Sequence, residues 1–214
     1  MIDQLYRRNR FVFLLLGAIA FIVSISFSSV ASAKLFDGPV DLLPVEERVA
    51  LRNGEVILSG KKGEYTCRTL ANSSVDKTWQ VLTDYENFAK FLPGVKSSML
   101  IEESGDRKVF EQINKIKTLV FSIEARLQIA NTENYPQQIA FEAVDGDIKA
   151  MNGKWILEPV SPYPSAPPDQ VLLTYQVVVE PVPSLGDGVF FKIYESRLQE
   201  TIAAIKQEAE KRSG

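Results

Sequence analysis

Histidine is absent from the 214 residues of this chain. Without an imidazole there is no Ser-His-Asp or Cys-His catalytic set, no His-ligated zinc and no His-ligated haem. Acid–base chemistry would have to come from carboxylates, Tyr, Lys or Cys67. Cysteine is scarce too: Cys67 stands alone, so no intrachain disulfide forms and stability rests on an ordinary packed core. A lone cysteine of this kind reads first as a small core residue. Also missing are a phosphate-cradling glycine loop, paired-cysteine metal spacing and a nucleotide fingerprint. "GDGVFF" (186–191) is only a loop entering a helix. Excess positive charge is lacking as well, with 24 basic against 27 acidic residues.

The N-terminus stands apart. Arg7, Arg8 and Arg10 precede the apolar run "FVFLLLGAIAFIV" (11–23), a serine-rich stretch and Ala31-Ser32-Ala33. That order is a signal peptide with a small-x-small cleavage site, leaving Lys34 as the new first residue. An uncleaved membrane anchor is the rival, since no charge interrupts 11–33 and roughly 20 apolar residues can span a bilayer. The serines favour cleavage. Arg7-Arg8 hints at twin-arginine export, with Phe11 one place late for that pattern. Either way the body is exported, to a periplasm or lumen or tethered facing it. Removing Arg7, Arg8, Arg10 and Asp3 leaves 24 − 3 = 21 basic and 27 − 1 = 26 acidic residues, a net of −5. A mildly acidic body argues against nucleic acid and against broad docking on anionic lipid. About 180 residues remain, enough for one domain with a sizeable core.

Residues 34–54 read as an extended lead-in with a short helix over "VEERVALR" (45–52), stopped by Asn53-Gly54. "EVILSG" and "EYTCRTLA" read as strand. "NSSVDKTWQVLTDYENFAKFLPG" (72–94) reads as two short helices, with Ser73 or Ser74 capping the first, Asp84 the second, and Pro93 ending it. The clearest strand is "TLVFSIEARLQIAN" (118–131), where Leu119, Phe121, Ile123, Ala125, Leu127 and Ile129 alternate with polar residues. Glu124, Arg126 and Gln128 therefore face solvent and the odd positions face the core. A one-residue slip would exchange the two faces. "KVFEQINKI", "QQIAFEAV", "KWILEPV" and "VLLTYQVVVEPV" are its neighbours, and "SPYPSAPPDQ" is an exposed loop. A long amphipathic helix closes the chain over roughly 188–211, with Asp187 as N-cap and a stripe of Phe190, Ile193, Tyr194, Leu198, Ile202, Ile205 and Ala209.

This order predicts an α+β layered domain: about six or seven antiparallel strands with one apolar face, two short helices after the first strand, and one long helix against the sheet. A single helix cannot cover such a sheet, so the space between them is either packed solid or left as a cavity.

"SSVDKTWQVLTDYENFAKFLPGVKSS" resembles the opening of the START-like (SRPBCC) polyketide cyclase superfamily, and within it the coenzyme-Q-binding branch. Val75, Trp79, Val81, Leu82, Thr83, Asp84, Tyr85, Phe91, Leu92, Pro93 and Val95 match that branch's V-x-x-x-W-x-V-L-T-D-Y-x-x-x-x-x-F-L-P-x-V pattern. "RKVFEQ", "YPQQIAF" and "GDIKAMNGKWILEP" extend the resemblance over roughly 55–211. It implies a helix-grip fold, a curved sheet wrapped on the C-terminal helix, with residues 55–214 as the ligand-binding domain. It also implies a hydrophobic tunnel for lipids, sterols, polyketides or isoprenoid quinones. Fold does not fix function.

The expected tunnel lining is Leu82, Tyr85, Phe88, Phe91, Leu92, Phe110, Leu119, Phe121, Ile123, Phe141, Tyr175, Val177, Phe190, Tyr194 and Leu198, each of which would otherwise be plain core. Trp79 and Trp155 read as structural anchors. The leading expectation is a non-catalytic carrier or chaperone of an apolar small molecule, with no metal or cofactor. An enzyme of the cyclase/dehydratase type would need Tyr85, Tyr175, Tyr194 or a carboxylate such as Glu142 as acid or base. A ligand-free assembly factor at a membrane is the third reading.

Overall fold

The computed structural model describes residues 38–117, 122–182 and 187–214. The N-terminal run of 1–33, Leu119 and Phe121 lie outside the described residues, as do the side chains of Ile123 and Asp187.

Pro44 opens α1 (Val45–Arg52), with Glu46 and Glu47 in its first turn and Arg52 in its last, all complementing the helix dipole. Gly54 then takes φ +84°, the left-handed conformation that ends a helix without a Cβ penalty. A hairpin of β1 (Ile57–Lys61) and β2 (Glu64–Ala71) follows. Ser74 caps α2 (Val75–Leu82) by accepting a hydrogen bond from the Lys77 backbone N–H at 3.2 Å.

A 3₁₀ turn (Tyr85–Asn87) and the four-residue α3 (Phe88–Phe91) lead to β3 (Val95–Ser104). Asp84 departs from its expected capping role. Its carboxylate makes no cap bond and instead accepts from Asn87 Nδ2 at 2.6 Å and Arg212 Nη2 at 2.8 Å. From there β4 (Arg107–Lys117), β5 (Ser122–Asn134), β6 (Gln138–Gly146), β7 (Ala150–Val160) and β8 (Gln170–Glu180) form a meander. The chain closes with α4 (Asp187–Ser213), slightly longer than expected.

The strands form one curved antiparallel sheet in the order β1-β2-β8-β7-β6-β5-β4-β3. The sheet has eight strands, one more than the upper expectation. The addition is β3, which has register shifts on either side of its central residues. β2 and β3 sit near opposite edges, so α2, the 3₁₀ turn and α3 must traverse the sheet to join them. This explains why the short helices cover one end of its inner face.

The inner face carries the main core. Tyr65, Cys67, Ile139, Leu173, Val177 and Val179 are buried there against Leu198, Ile202, Ile205 and Ala209 of α4. Each fully buried aliphatic side chain contributes about 1.5–3 kcal/mol. Gly153 faces Phe141 across the β6–β7 ladder. A Cβ there would lie 2.0 Å from the Gln176 carbonyl oxygen and 2.6 Å from Phe141 Cζ, so only glycine admits this packing. The lead-in is more integrated than an extended strand. Val40 and Leu51 bury against Leu70 and Leu172 on the sheet's outer face, and Glu47 pairs with Arg68 at 2.9 Å.

Candidate functional site

The register of β4 and β5 decides what faces α4. Phe110 opposes Ile129, Gln112 opposes Leu127 and Asn114 opposes Ala125; opposed residues share a face. All six line a cavity of about 460 Å³ between the sheet and α4. The odd positions of β5 that the structure describes thus look inward, as the alternation predicts. Arg126 and Gln128 point outward. Arg126 donates to Glu111 at 2.6 Å and Asp145 at 2.8 Å, while Gln128 donates to Glu111 at 3.2 Å. The Gln128 bond, then the Arg126 bond, hold the Glu111 carboxyl below the usual carboxylate range.

Three regions supply the remaining wall. Leu82, Phe88, Leu92, Pro93, Gly94 and Val95 form the cover from α2 to β3. Phe141, Ile148, Met151, Trp155 and Tyr175 form the floor. Phe190, Arg197, Thr201 and Ile205 come from one face of α4. Charges gather with the polar groups: Lys115, Glu124, Asp147 and Arg197 also line the space. Three of them already have partners. Glu124 pairs with Lys96 at 2.9 Å, Arg197 with Glu200 at 2.8 Å, and Asp147 accepts the Arg126 backbone N–H at 2.8 Å.

Of the fifteen predicted lining residues, the structure brings Leu82, Phe88, Leu92, Phe110, Phe141, Tyr175 and Phe190 to the cavity. Tyr85, Phe91, Val177, Tyr194 and Leu198 do not line it. Tyr85 is occupied elsewhere: its hydroxyl donates to Glu133 at 2.5 Å and accepts from Asn131 Nδ2 at 3.1 Å, while its ring stacks on Phe110 at 4.8 Å. Phe91 lies beneath the Arg212 guanidinium, 5.5 Å from its ring centroid. Tyr194 packs between Phe190 and Tyr65. Val177 and Leu198 are ordinary core.

Trp79 is the anchor it was expected to be, buried and edge-on to Tyr135 at 5.2 Å. Trp155 is not only an anchor, because it lines the cavity beside Tyr175 at 4.3 Å. Glu124 is exposed and paired, yet it stands in the cavity wall rather than away from it.

Sequence reasoning missed Gln112, Asn114, Asn131, Met151 and Thr201. The inward face of "FEQIN" was legible in principle, since Gln112 and Asn114 follow Phe110 at the strand period of two. Polar side chains there carry no hydrophobic signal, so the face could not be assigned from pattern alone.

The carboxylates Glu124 and Asp147 stand in the cavity wall, and of Tyr85, Tyr194, Glu142 and Tyr175 it is Tyr175 that reaches it. Its burial pushes the hydroxyl's pKa well above the ordinary tyrosine value, reinforced by Tyr194. Burial does the same to Tyr194, and to Tyr85 with help from Glu133. Glu142 is exposed on the outer face. Burial drives the Cys67 thiol up to about 12. Among the described residues no group of three or more Cys, Asp or Glu is placed to hold a metal.

A curved antiparallel sheet gripping a C-terminal helix, with an apolar cavity between, defines a helix-grip ligand-binding domain. The chain belongs to the polyketide cyclase / dehydrase and lipid transport family, whose model matches residues 72–206. Solved structures of the same fold include a STAR-related lipid transfer protein from Xanthomonas axonopodis. That chain shows 19% identity and TM-score 0.56, covering 71% of this chain and 90% of that one. A START superfamily protein from Mycobacterium smegmatis gives 16% identity and TM-score 0.56, covering 69% and 97% respectively. The Zhui aromatase/cyclase from a Streptomyces species gives 17% and 0.54, covering 70% and 94%. No curated protein matches the sequence. Among the described residues no helix is long and apolar enough to cross a membrane.

Proposed function

We propose that this chain is a non-catalytic carrier or chaperone of a hydrophobic small molecule: a lipid, an isoprenoid or, following the motif at 75–95, a quinone. The observation that carries the reading is the cavity of about 460 Å³ walled chiefly by Leu, Ile, Met and aromatic side chains. A void of about 150 Å³ takes up one benzene, so this one has room for roughly three rings, or about 18 carbons. At about 0.8 kcal/mol per buried carbon the gross gain is near 14 kcal/mol. Association costs at least about 4 kcal/mol, which caps affinity near tens of nanomolar. Incomplete burial at the polar rim weakens it further, which suits a ligand that must be released.

The cyclase-type alternative would rest on Tyr175 or on the wall carboxylates Glu124 and Asp147. Tyr175's raised pKa places it far from the neutral range in which a general acid or base works best, and the carboxylates already accept hydrogen bonds from Lys96 and from the Arg126 backbone N–H.

The test is solvent extraction of the purified full chain followed by mass spectrometry, with uptake of quinones and single-chain lipids measured on the delipidated protein. A co-purifying apolar ligand, or saturable uptake at one site, is expected. Finding neither overturns the carrier reading.

Residues 1–33 are proposed to direct export, by cleavage after Ala33 or as an anchor. A mature protein beginning at Lys34 supports the first route, and one retaining 11–27 in the membrane fraction supports the second. A chain that remains in the compartment of its synthesis defeats both.

A further inference from the structure

We infer that Gln112 and Asn114 form a hydrogen-bonding subsite within the cavity, which selects ligands carrying neutral carbonyl or hydroxyl oxygens over plain hydrocarbons and over carboxylates. The inference rests on the carrier reading and deepens it. β4 turns Phe110, Gln112 and Asn114 to the same face, and all three line the cavity. Phe110 is 4% exposed and the two amides are half-buried, so the strand grades from an apolar floor to a polar wall.

The side chains opposite the amides are Leu127 and Ala125, neither of which can hydrogen-bond. Half-buried amides in a cavity wall can hydrogen-bond to water; an occupant with no polar atom would displace that water at about 1–3 kcal/mol per unmet amide, whereas one carrying an oxygen replaces it. The arrangement therefore favours an occupant whose oxygens meet the amides. Asn131, also in the wall, is more deeply buried and donates from its amide nitrogen to the Tyr85 hydroxyl. Gln112 and Asn114 each offer both a donor and an acceptor, which suits a carbonyl or hydroxyl.

The charges in the wall argue against an anionic head. Glu124 and Asp147 balance Lys115 and Arg197, and Arg197 is already neutralised by Glu200. A carboxylate would meet no net positive field there, whereas a neutral oxygen needs only the amides.

A matched pair of probes tests this on the delipidated full chain by fluorescence quenching of Trp155 and Trp79. Menadione and 2-methylnaphthalene share a ring skeleton and differ in the two carbonyls; dodecanol and dodecanoate differ in head charge. Menadione is expected to bind at least about tenfold tighter than 2-methylnaphthalene, a difference of about 1.4 kcal/mol, and dodecanol tighter than dodecanoate. In Gln112→Leu/Asn114→Leu the first ratio should fall below about threefold, with 2-methylnaphthalene binding unchanged or improved. Equal binding of menadione and 2-methylnaphthalene to the wild type overturns the subsite while leaving the carrier reading intact. So does a ratio that survives the double substitution, or a preference for dodecanoate. Failure of all four probes to bind tells against the carrier reading itself. If the double variant does not fold, the wild-type ratios alone decide.

Discussion

Tyr85→Phe removes one oxygen from the segment that covers the cavity. The Tyr85 ring keeps its contacts, stacked on Phe110 at 4.8 Å and edge-on to Phe88 at 5.7 Å. What is lost is the hydroxyl that donates to Glu133 at 2.5 Å and accepts from Asn131 at 3.1 Å. A hydrogen bond to a charged group contributes about 1.5–3 kcal/mol, and a stranded buried amide costs about 1–3 kcal/mol. The two partners differ in what they can recover. Glu133 is only half-buried and regains water, whereas Asn131 is 5% exposed and does not.

The lower part of the range therefore applies, a net loss of about 2–3 kcal/mol, or roughly 4–12 °C in Tm for a domain of this size. Urea and thermal unfolding followed by tryptophan fluorescence measure it. Adding Asn131→Leu should recover about 1 kcal/mol, because replacing both members of a buried polar pair is less costly than orphaning one. A Tyr85→Phe variant within about 0.5 kcal/mol of the wild type would refute the reasoning. So would a second substitution that only adds to the loss.

Leu127→Trp should fill part of the cavity and cut ligand uptake at least about tenfold while changing stability by no more than about 1 kcal/mol; undiminished uptake would place the ligand elsewhere. Gly153→Ala drives a Cβ to 2.0 Å from the Gln176 carbonyl oxygen, so a loss of about 3 kcal/mol or more is expected in urea unfolding, and a near-neutral result would contradict the close approach of β7 and β8. Cys67, fully buried with its thiol pushed up to about 12, should resist Ellman's reagent in the native chain and react promptly in urea; fast native labelling would show that the sheet opens there. The Glu208 carboxyl is held below its ordinary 4.5, first by the hydrogen bond from Arg212. A depressed folded-state pKa gives stability that is complete above the unfolded value and fades as pH falls through the folded one. Tm should therefore drop on acidification below about pH 4.5, and Arg212→Gln should flatten that slope; an unchanged slope would detach Arg212 from acid stability.

The long helix and the central strand were legible because their periodicity is clean. Leu127 and Ile129 sit inward and Arg126 and Gln128 outward, as simple alternation requires. β3 was not legible. "VKSSMLIEES" is an edge strand with register shifts between Val95 and Ser97 and between Leu100 and Glu102, and each shift resets which side chains share a face. Asp84 was misread for a different reason. An aspartate before a helical run has a local use as a cap, but Arg212, 128 residues away, claims its carboxylate. No short-range rule contains that partner. The cavity lining was half legible: seven of the predicted residues arrive there, while Tyr85 and Tyr194 are drawn off into aromatic packing that only the tertiary arrangement reveals.

That aromatic packing bears on why the cavity exists at all. At about 24 cal/mol per Å³, a dry void of about 460 Å³ would cost on the order of 11 kcal/mol, which rivals the whole stability of a typical domain. Such a space persists only if something stops the layers from closing and if an occupant, solvent or ligand, fills it. The first condition is met at both ends of α4. Phe190 and Tyr194 stack at 5.6 Å near its start, with Tyr65 behind them at 5.9 Å. Near its end Arg212 covers Phe91, which meets Phe88 edge-on at 5.8 Å; Phe88 in turn packs on Phe110 at 5.6 Å. Leu198 and Ile202 seat the helix on the β2 side of the sheet, and the rigid rings at both ends keep it off the β4–β5 side, where the facing residues are the smaller Thr201, Ala125 and Leu127. The bulk concentrated in the short segment 85–92 thus acts as a spacer. Truncating it, as in Phe88→Ala, should shrink the cavity rather than enlarge it, and ligand uptake should fall together with stability.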